Sequence, residues 1–162
     1  MIVIRNNNYF KSTFPTTVSL SGGITLVVEN PLRIIQWLSG RIKPWRERLE
    51  RSIWYSINLA GRSIGNLDLS KEDDKRLEME LDDKDLPIKA YSILFSWVVG
   101  QAKERGFEEV EFCAFLNETE QIKAAEKFGF KLSKKGNGYV VYTIDVKSTS
   151  RLFSNTKKKT DD

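Results

Sequence analysis

The chain contains no histidine and a single cysteine, Cys113, among its 162 residues. Without histidine there is no imidazole base for a His-dependent triad, and one thiolate completes neither a structural zinc site nor an intramolecular disulfide. No stretch approaches the roughly 18 consecutive apolar residues of a membrane-spanning helix. Met1 to Phe10 carries Arg5 and three asparagines where a secretory leader needs an apolar run. The expected setting is the cytoplasm, with no membrane partner.

What is present suits one globular core. The 40% hydrophobic and 30% charged composition predicts a single domain over residues 1–147. A flexible tail over 148–162 follows, where Ser, Thr, Asn and Lys dominate and Asp161 and Asp162 oppose Lys157, Lys158 and Lys159. The net charge of +4 is unevenly spread. Arg33, Arg41, Lys43, Arg46, Arg48 and Arg51 face only Glu47 and Glu50, whereas Asp68 to Asp85 holds nine acids against Lys71, Lys75, Arg76 and Lys84. Such runs are ordinarily solvated faces, and they also orient charged partners.

Hydrophobic periodicity sets out the elements. Residues 2–28 read as short strands with a turn at Ser21-Gly22-Gly23 and a β-branched run at Ile24 to Val28. Asn30-Pro31 is a helix start, and Ile34, Ile35, Leu38, Ile42, Trp45 and Leu49 recur at helical spacing, divided near Gly40 and Pro44. Period two over Ile53 to Leu69 predicts a hairpin turning at Ala60-Gly61-Arg62-Ser63. After a charged loop from Ser70 to Lys75, Leu77, Met79 and Leu81 alternate with Glu78 and Glu80 as a further strand.

Asp85 to Pro87 then open a long helix with the stripe Ile88, Tyr91, Phe95, Val98, Val99 and Ala102, capped at Gly106. Val110 to Leu116, apolar on both faces apart from Glu111, predicts a central strand. Glu118 to Lys127 predicts a short helix, and Tyr139 to Val146 a last strand pairing across Gly136-Asn137-Gly138.

Strand, long helix, strand, then a short helix ending in Phe128-Gly129-Phe130 resembles the cofactor-binding half of the GNAT superfamily of acyl-CoA-dependent N-acyltransferases. Ala102-Lys103-Glu104-Arg105-Gly106-Phe107 is similar to the close of that family's long helix, and Gly61 and Gly65 fall where it often writes Asp-Gly-Lys-x-x-Gly. The resemblance covers residues 24–146. It implies an α/β (α+β) fold: a mixed, largely antiparallel sheet flanked by helices, with a central parallel strand pair.

It further implies transfer of an acyl group, acetyl or another, from acyl-CoA to an amine of a small molecule or protein. The family's phosphate-gripping turn, Arg/Gln-x-x-Gly-x-Gly/Ala, falls at Leu86-Pro87-Ile88-Lys89-Ala90-Tyr91 and is degenerate, having no glycine. Asp82, Asp83 and Asp85 add like charge there, opposed by Lys84 and Lys89. The cofactor contacts carried over are Leu81, Lys84, Ile88, Lys89, Ala90, Tyr91 and Asn117. The tyrosine that protonates the departing thiolate in many relatives is Ala125 here.

Deprotonating an ammonium needs a base, and a strand carboxylate working through water can serve when burial raises its pKa. Glu80 is the first candidate, then Glu78 and Glu111, while main-chain amides near Leu81 would hold the acyl carbonyl. For each glutamate the alternative is a solvated strand carboxylate. Cys113 reads as a packing thiol rather than a nucleophile. Trp37, Trp45 and Trp54 read as packing residues, with base stacking as the other reading. The second functional hypothesis is a non-catalytic GNAT-fold interaction module whose basic run meets an acidic protein or nucleic acid. A homodimer fits either reading.

Overall fold

The computed structural model describes residues 13–29, 52–83 and 86–148. These fall into two compact units: the chain up to Glu72 with Glu80–Leu86, and Asp73–Met79 with the chain from Pro87 on. The helices expected after Asn30, the basic run to Arg51, Trp37 and Trp45, Lys84, Asp85 and the tail from residue 149 lie outside the described residues.

The first unit contains β1 (Thr17–Ser19), β2 (Ile24–Val28), β3 (Ser52–Leu59), β4 (Arg62–Lys71) and the second half of β5 (Arg76–Asp83), in the order β1-β2-β3-β4-β5. Strands β1 to β4 pair antiparallel. Alternation puts Ile24, Leu26, Ile53, Tyr55, Ile57, Leu67 and Leu69 in the core. The Tyr55 hydroxyl, carried inward with its ring, donates to the Pro15 carbonyl at 2.7 Å.

The β3–β4 hairpin turns on two residues, Ala60 and Gly61, rather than the expected four. Both have positive φ (52° and 80°), as a tight turn matching strand twist requires. Ile57 faces Gly65 and Asn58 faces Ser63, so Ile64 is an extra residue in β4, a β-bulge. β4 runs on to Lys71, taking in the start of the charged stretch expected to be loop.

The second unit contains the first half of β5, α1 (Ile88–Glu104), β6 (Glu109–Phe115), α2 (Thr119–Phe128), β7 (Lys131–Lys135) and β8 (Tyr139–Asp145), in the order β5-β6-β8-β7. β5 and β6 run parallel. Arg76 reaches Glu111 and Glu78 reaches Cys113, so partner numbers rise together along both strands. β8 pairs antiparallel with β6 and with β7. A parallel neighbour requires a crossover, and α1 supplies it. The sheet is therefore mixed and largely antiparallel, with helices and a parallel pair, as expected.

Both helices end by the same device. At the end of α1 the Phe107 amide bonds Ala102 O and the Gly106 amide bonds Lys103 O, with Gly106 at φ 79°. At the end of α2 the Phe130 amide bonds Ala125 O and the Gly129 amide bonds Glu126 O, with Gly129 at φ 123°. This is the Schellman pattern, and in each case the phenylalanine after the glycine is buried. The two Gly-Phe strings are thus helix stops whose aromatic ring is driven into the core. There Phe130 joins Phe95 (centroids 5.1 Å), which meets Phe112 edge-on at 5.1 Å and Phe128 at 5.6 Å.

Element ends depart from the pattern. Ile88 belongs by spacing to the stripe of α1, yet it is 71% exposed, because the buried surface of the helix begins at Ala90. β6 stops at Phe115, which is 66% exposed, and Leu116 beyond it is 41% exposed. Val110, Phe112 and Ala114 form its buried face, whereas Glu111 and Cys113 on the other face are half-buried. The expectation of an apolar strand buried on both sides is corrected accordingly. α2 begins at Thr119, one residue later than expected. No helix among the described residues is long and apolar enough to cross a membrane.

Candidate functional site

In a parallel pair joined by a helix, the first turn of the helix lies at the carboxyl ends of the strands, where ligands of α/β folds are generally received. In the second unit this end presents Pro87, Ile88, Lys89, Phe115, Leu116 and Asn117. Pro87 occupies the N-cap position of α1 without a side-chain cap, and no acidic residue stands in the first turn. The amides of Ile88 and Lys89 therefore begin the helix with the positive end of its dipole. Ala90 N bonds Pro87 O at 2.9 Å, so helical winding starts at once.

The side chains of Ala90 and Tyr91 are buried and point into the core. Of the carried-over stretch, only Ile88 and Lys89 offer exposed side chains, and Ala90 and Tyr91 have only main chain to offer a ligand. Asn117 is exposed in the turn between β6 and α2. Sequence reasoning missed Phe115 and Leu116, which it placed in the core. Phe115 and Leu116 are two consecutive exposed apolar residues where β6 ends. The only signal available was their position immediately before Asn117, where the strand has to stop.

The strand carboxylates differ from one another. Glu111 is 16% exposed and accepts from Arg76 Nη1 at 3.1 Å, while Arg76 Nε lies 3.7 Å from Glu109 and 3.9 Å from Asp73. The Glu111 hydrogen bond, then its charge, holds the Arg76 guanidinium more firmly protonated than usual. Asp73 accepts from the amides of Lys75 and Arg76 at 2.8 and 2.9 Å, and the Lys75 bond foremost holds its carboxyl below the usual range. Glu111 is thus committed to an ion pair across β5 and β6.

Glu78, half-buried, accepts from the Cys113 thiol at 3.5 Å. A carboxylate is the wrong neighbour for stabilising a thiolate, so this geometry does not prepare Cys113 as a nucleophile.

Glu80 and Leu81 belong to the first unit's half of β5. Glu80 is half-buried on the strand face it shares with Glu78, and Leu81 is buried on the other. The same unit holds a close approach invisible in the sequence: a Cβ on Gly65 would stand 2.7 Å from the Asp82 carbonyl oxygen. Trp54, on β3, is half-buried with its Nε1 enclosed and unpartnered.

Ala125, read from the sequence as lacking a proton donor, lies fully buried in α2. The Tyr142 hydroxyl donates to Glu126 Oε1 at 2.7 Å. That bond, with burial and the carboxylate charge adding to it, pushes the phenol up to about 12. A phenol so held is a poor proton donor near neutrality.

No protein-family model matches the chain, and no curated protein matches it in sequence. Solved structures do match in shape. A probable acetyltransferase of the GNAT family from Chromobacterium violaceum superposes with a TM-score of 0.60 at 13% identity, over 85% of this chain and 95% of that one. A GNAT family acetyltransferase from Elizabethkingia anophelis, with acetyl-CoA bound, gives 0.56 at 15% identity, over 77% and 99%. The Campylobacter jejuni N-acetyltransferase PseH, in complex with acetyl coenzyme A, gives 0.52 at 14% identity, over 75% and 98%. Identities this low speak to architecture alone, and the architecture is the GNAT acetyltransferase fold.

Proposed function

We propose that the protein is an acyl-CoA-dependent N-acyltransferase acting on an amine of a small molecule or a protein. The observation that carries this reading is the β5–α1–β6 unit with an uncapped helix start, within a fold shared with two structures solved with acetyl-CoA. The donor set suits the cofactor unevenly. Ile88, Phe115 and Leu116 suit the methylene and methyl groups of the thioester arm, and the Ile88 and Lys89 amides, the Lys89 ammonium and Asn117 suit the cofactor's phosphates. A glycine turn that could wrap the pyrophosphate is missing.

In the proposed reaction the amine attacks the thioester carbonyl, the C–N bond forms, and the C–S bond breaks as the thiolate leaves. Glu80 is assigned as the base, acting through water, with Glu78 behind it. Glu111 drops out of this role because of its pairing with Arg76. Main chain near Leu81 is assigned to the acyl oxygen. With alanine at position 125, the departing thiolate takes its proton from solvent. Calorimetric titration with acetyl-CoA tests the proposal: saturable binding is expected, and no heat at millimolar ligand rejects it.

The buried methyl of Ala125 and the glycine-free helix start favour a second reading, a non-catalytic module of the same fold that binds an acidic protein or nucleic acid. Its signature is retention on nucleic acid that falls steeply with salt, in a protein blind to acetyl-CoA.

A further inference from the structure

We propose that Gly65 is a positioning residue that fixes the carboxyl end of β5, and through it the main chain assigned to the acyl oxygen. The inference rests on the acyltransferase reading and adds to it a residue that touches neither cofactor nor acceptor. Two features of the first unit meet at this point. The bulge at Ile64 bends β4 immediately before Gly65, since Ile57 faces Gly65 while Asn58 faces Ser63. A Cβ added to Gly65 would then stand 2.7 Å from Asp82 O, 3.1 Å from Asp83 Cα and 3.3 Å from Asp83 Cβ.

The nearest two of those atoms are backbone, so no side-chain rotation could make room, and the end of β5 would have to move. Gly100, within α1, has open space where its Cβ would stand, which makes it the matched control. At Gly65 the situation is the opposite. Here the backbones of β4 and β5 approach so closely that only glycine fits, and this at the strand end next to Leu81.

A group that holds a developing oxyanion acts through its placement, and displacement by a fraction of an ångström weakens it far more than it weakens ligand affinity. The readout is therefore the carbonyl carbon of acetyl-CoA labelled with carbon-13 at that position, observed by NMR when bound. Polarisation by main-chain donors displaces this resonance downfield from its position in the free ligand. Wild type and Gly100→Ala are expected to show the displacement, and Gly65→Ala to lose most of it while still binding acetyl-CoA. Amide hydrogen exchange at Leu81, Asp82 and Asp83 is expected to quicken in Gly65→Ala alone.

An unchanged carbonyl resonance together with unchanged exchange in Gly65→Ala overturns the proposal. If wild type fails to bind acetyl-CoA, the acyltransferase reading falls, and the exchange comparison still decides whether Gly65 sets the end of β5. Should Gly65→Ala not fold, a crystal structure of the wild type decides: Asp82 O within 3.0 Å of the Cβ position on Gly65 supports the proposal, and a separation of ordinary contact sinks it.

Discussion

Tyr142 and Glu126 make a hydrogen bond between β8 and α2 that a titration can read. The phenol is raised to about 12, first by the Glu126 bond and then by burial, whereas an unfolded tyrosine ionises near 10. A raised folded pKa means stability that is complete below pH ~10 and is lost as pH rises through about 12. Absorbance titration of wild type against Tyr142→Phe should resolve this late phenol, and Glu126→Gln should bring it back toward 10. Glu80→Gln is expected to lower the rate of thiol release from acetyl-CoA in the presence of an accepted amine by ~100-fold or more, with the unfolding midpoint unmoved. A variant as active as wild type would remove Glu80 as the base. The glutamates were legible in the sequence as strand carboxylates, but their differences were not. Arg76 and Glu111, like Glu78 and Cys113, lie 35 positions apart, and only the register of β5 on β6 pairs them.

Among the elements, the hairpin and the aromatic cluster each make a measurable claim. Ala60 sits at φ 52°, a left-handed conformation that costs an L-residue roughly 1–2 kcal/mol. Ala60→Asn, giving the Asn-Gly pair that such turns prefer, should raise stability by about 0.5–1 kcal/mol in urea unfolding. Phe95 touches Phe112, Phe128 and Phe130 at once, so Phe95→Ala should cost ~3–5 kcal/mol by the same measurement. A loss below ~1 kcal/mol would show that the cluster adds little. The interiors of these elements were readable: Leu77, Met79 and Leu81 are buried with Glu78 and Glu80 between them, as alternation demands. Their ends were not. Ile88, Phe115 and Leu116 continue an apolar pattern past the point where packing stops, and periodicity has no means of locating that point.

For the molecule as a whole, element order pointed to the fold, because a long helix joining two neighbouring strands of one sheet is the crossover that a parallel pair needs. Its chemistry was less legible, since catalytic competence depends on main-chain placement that residue identities do not record. In the acyltransferase reading, cofactor would meet the exposed Ile88, Phe115 and Leu116 and no glycine turn, so the pyrophosphate should contribute little. A helix start offers an anion about 0.3–1 kcal/mol per charge. Acetyl-pantetheine is accordingly expected to bind within about tenfold of acetyl-CoA in parallel calorimetric titrations; a gap of several orders of magnitude would mean that the phosphates are gripped after all. The outer strand of the second unit, β7, has every residue exposed, with Lys131, Lys134 and Lys135 along it and a register shift at Ser133. A rim so charged and kinked offers an incoming chain no flat, neutral template to extend. Crowded preparations should therefore resist fibre growth from this side, and exchanging the three lysines for serine would strip that protection away.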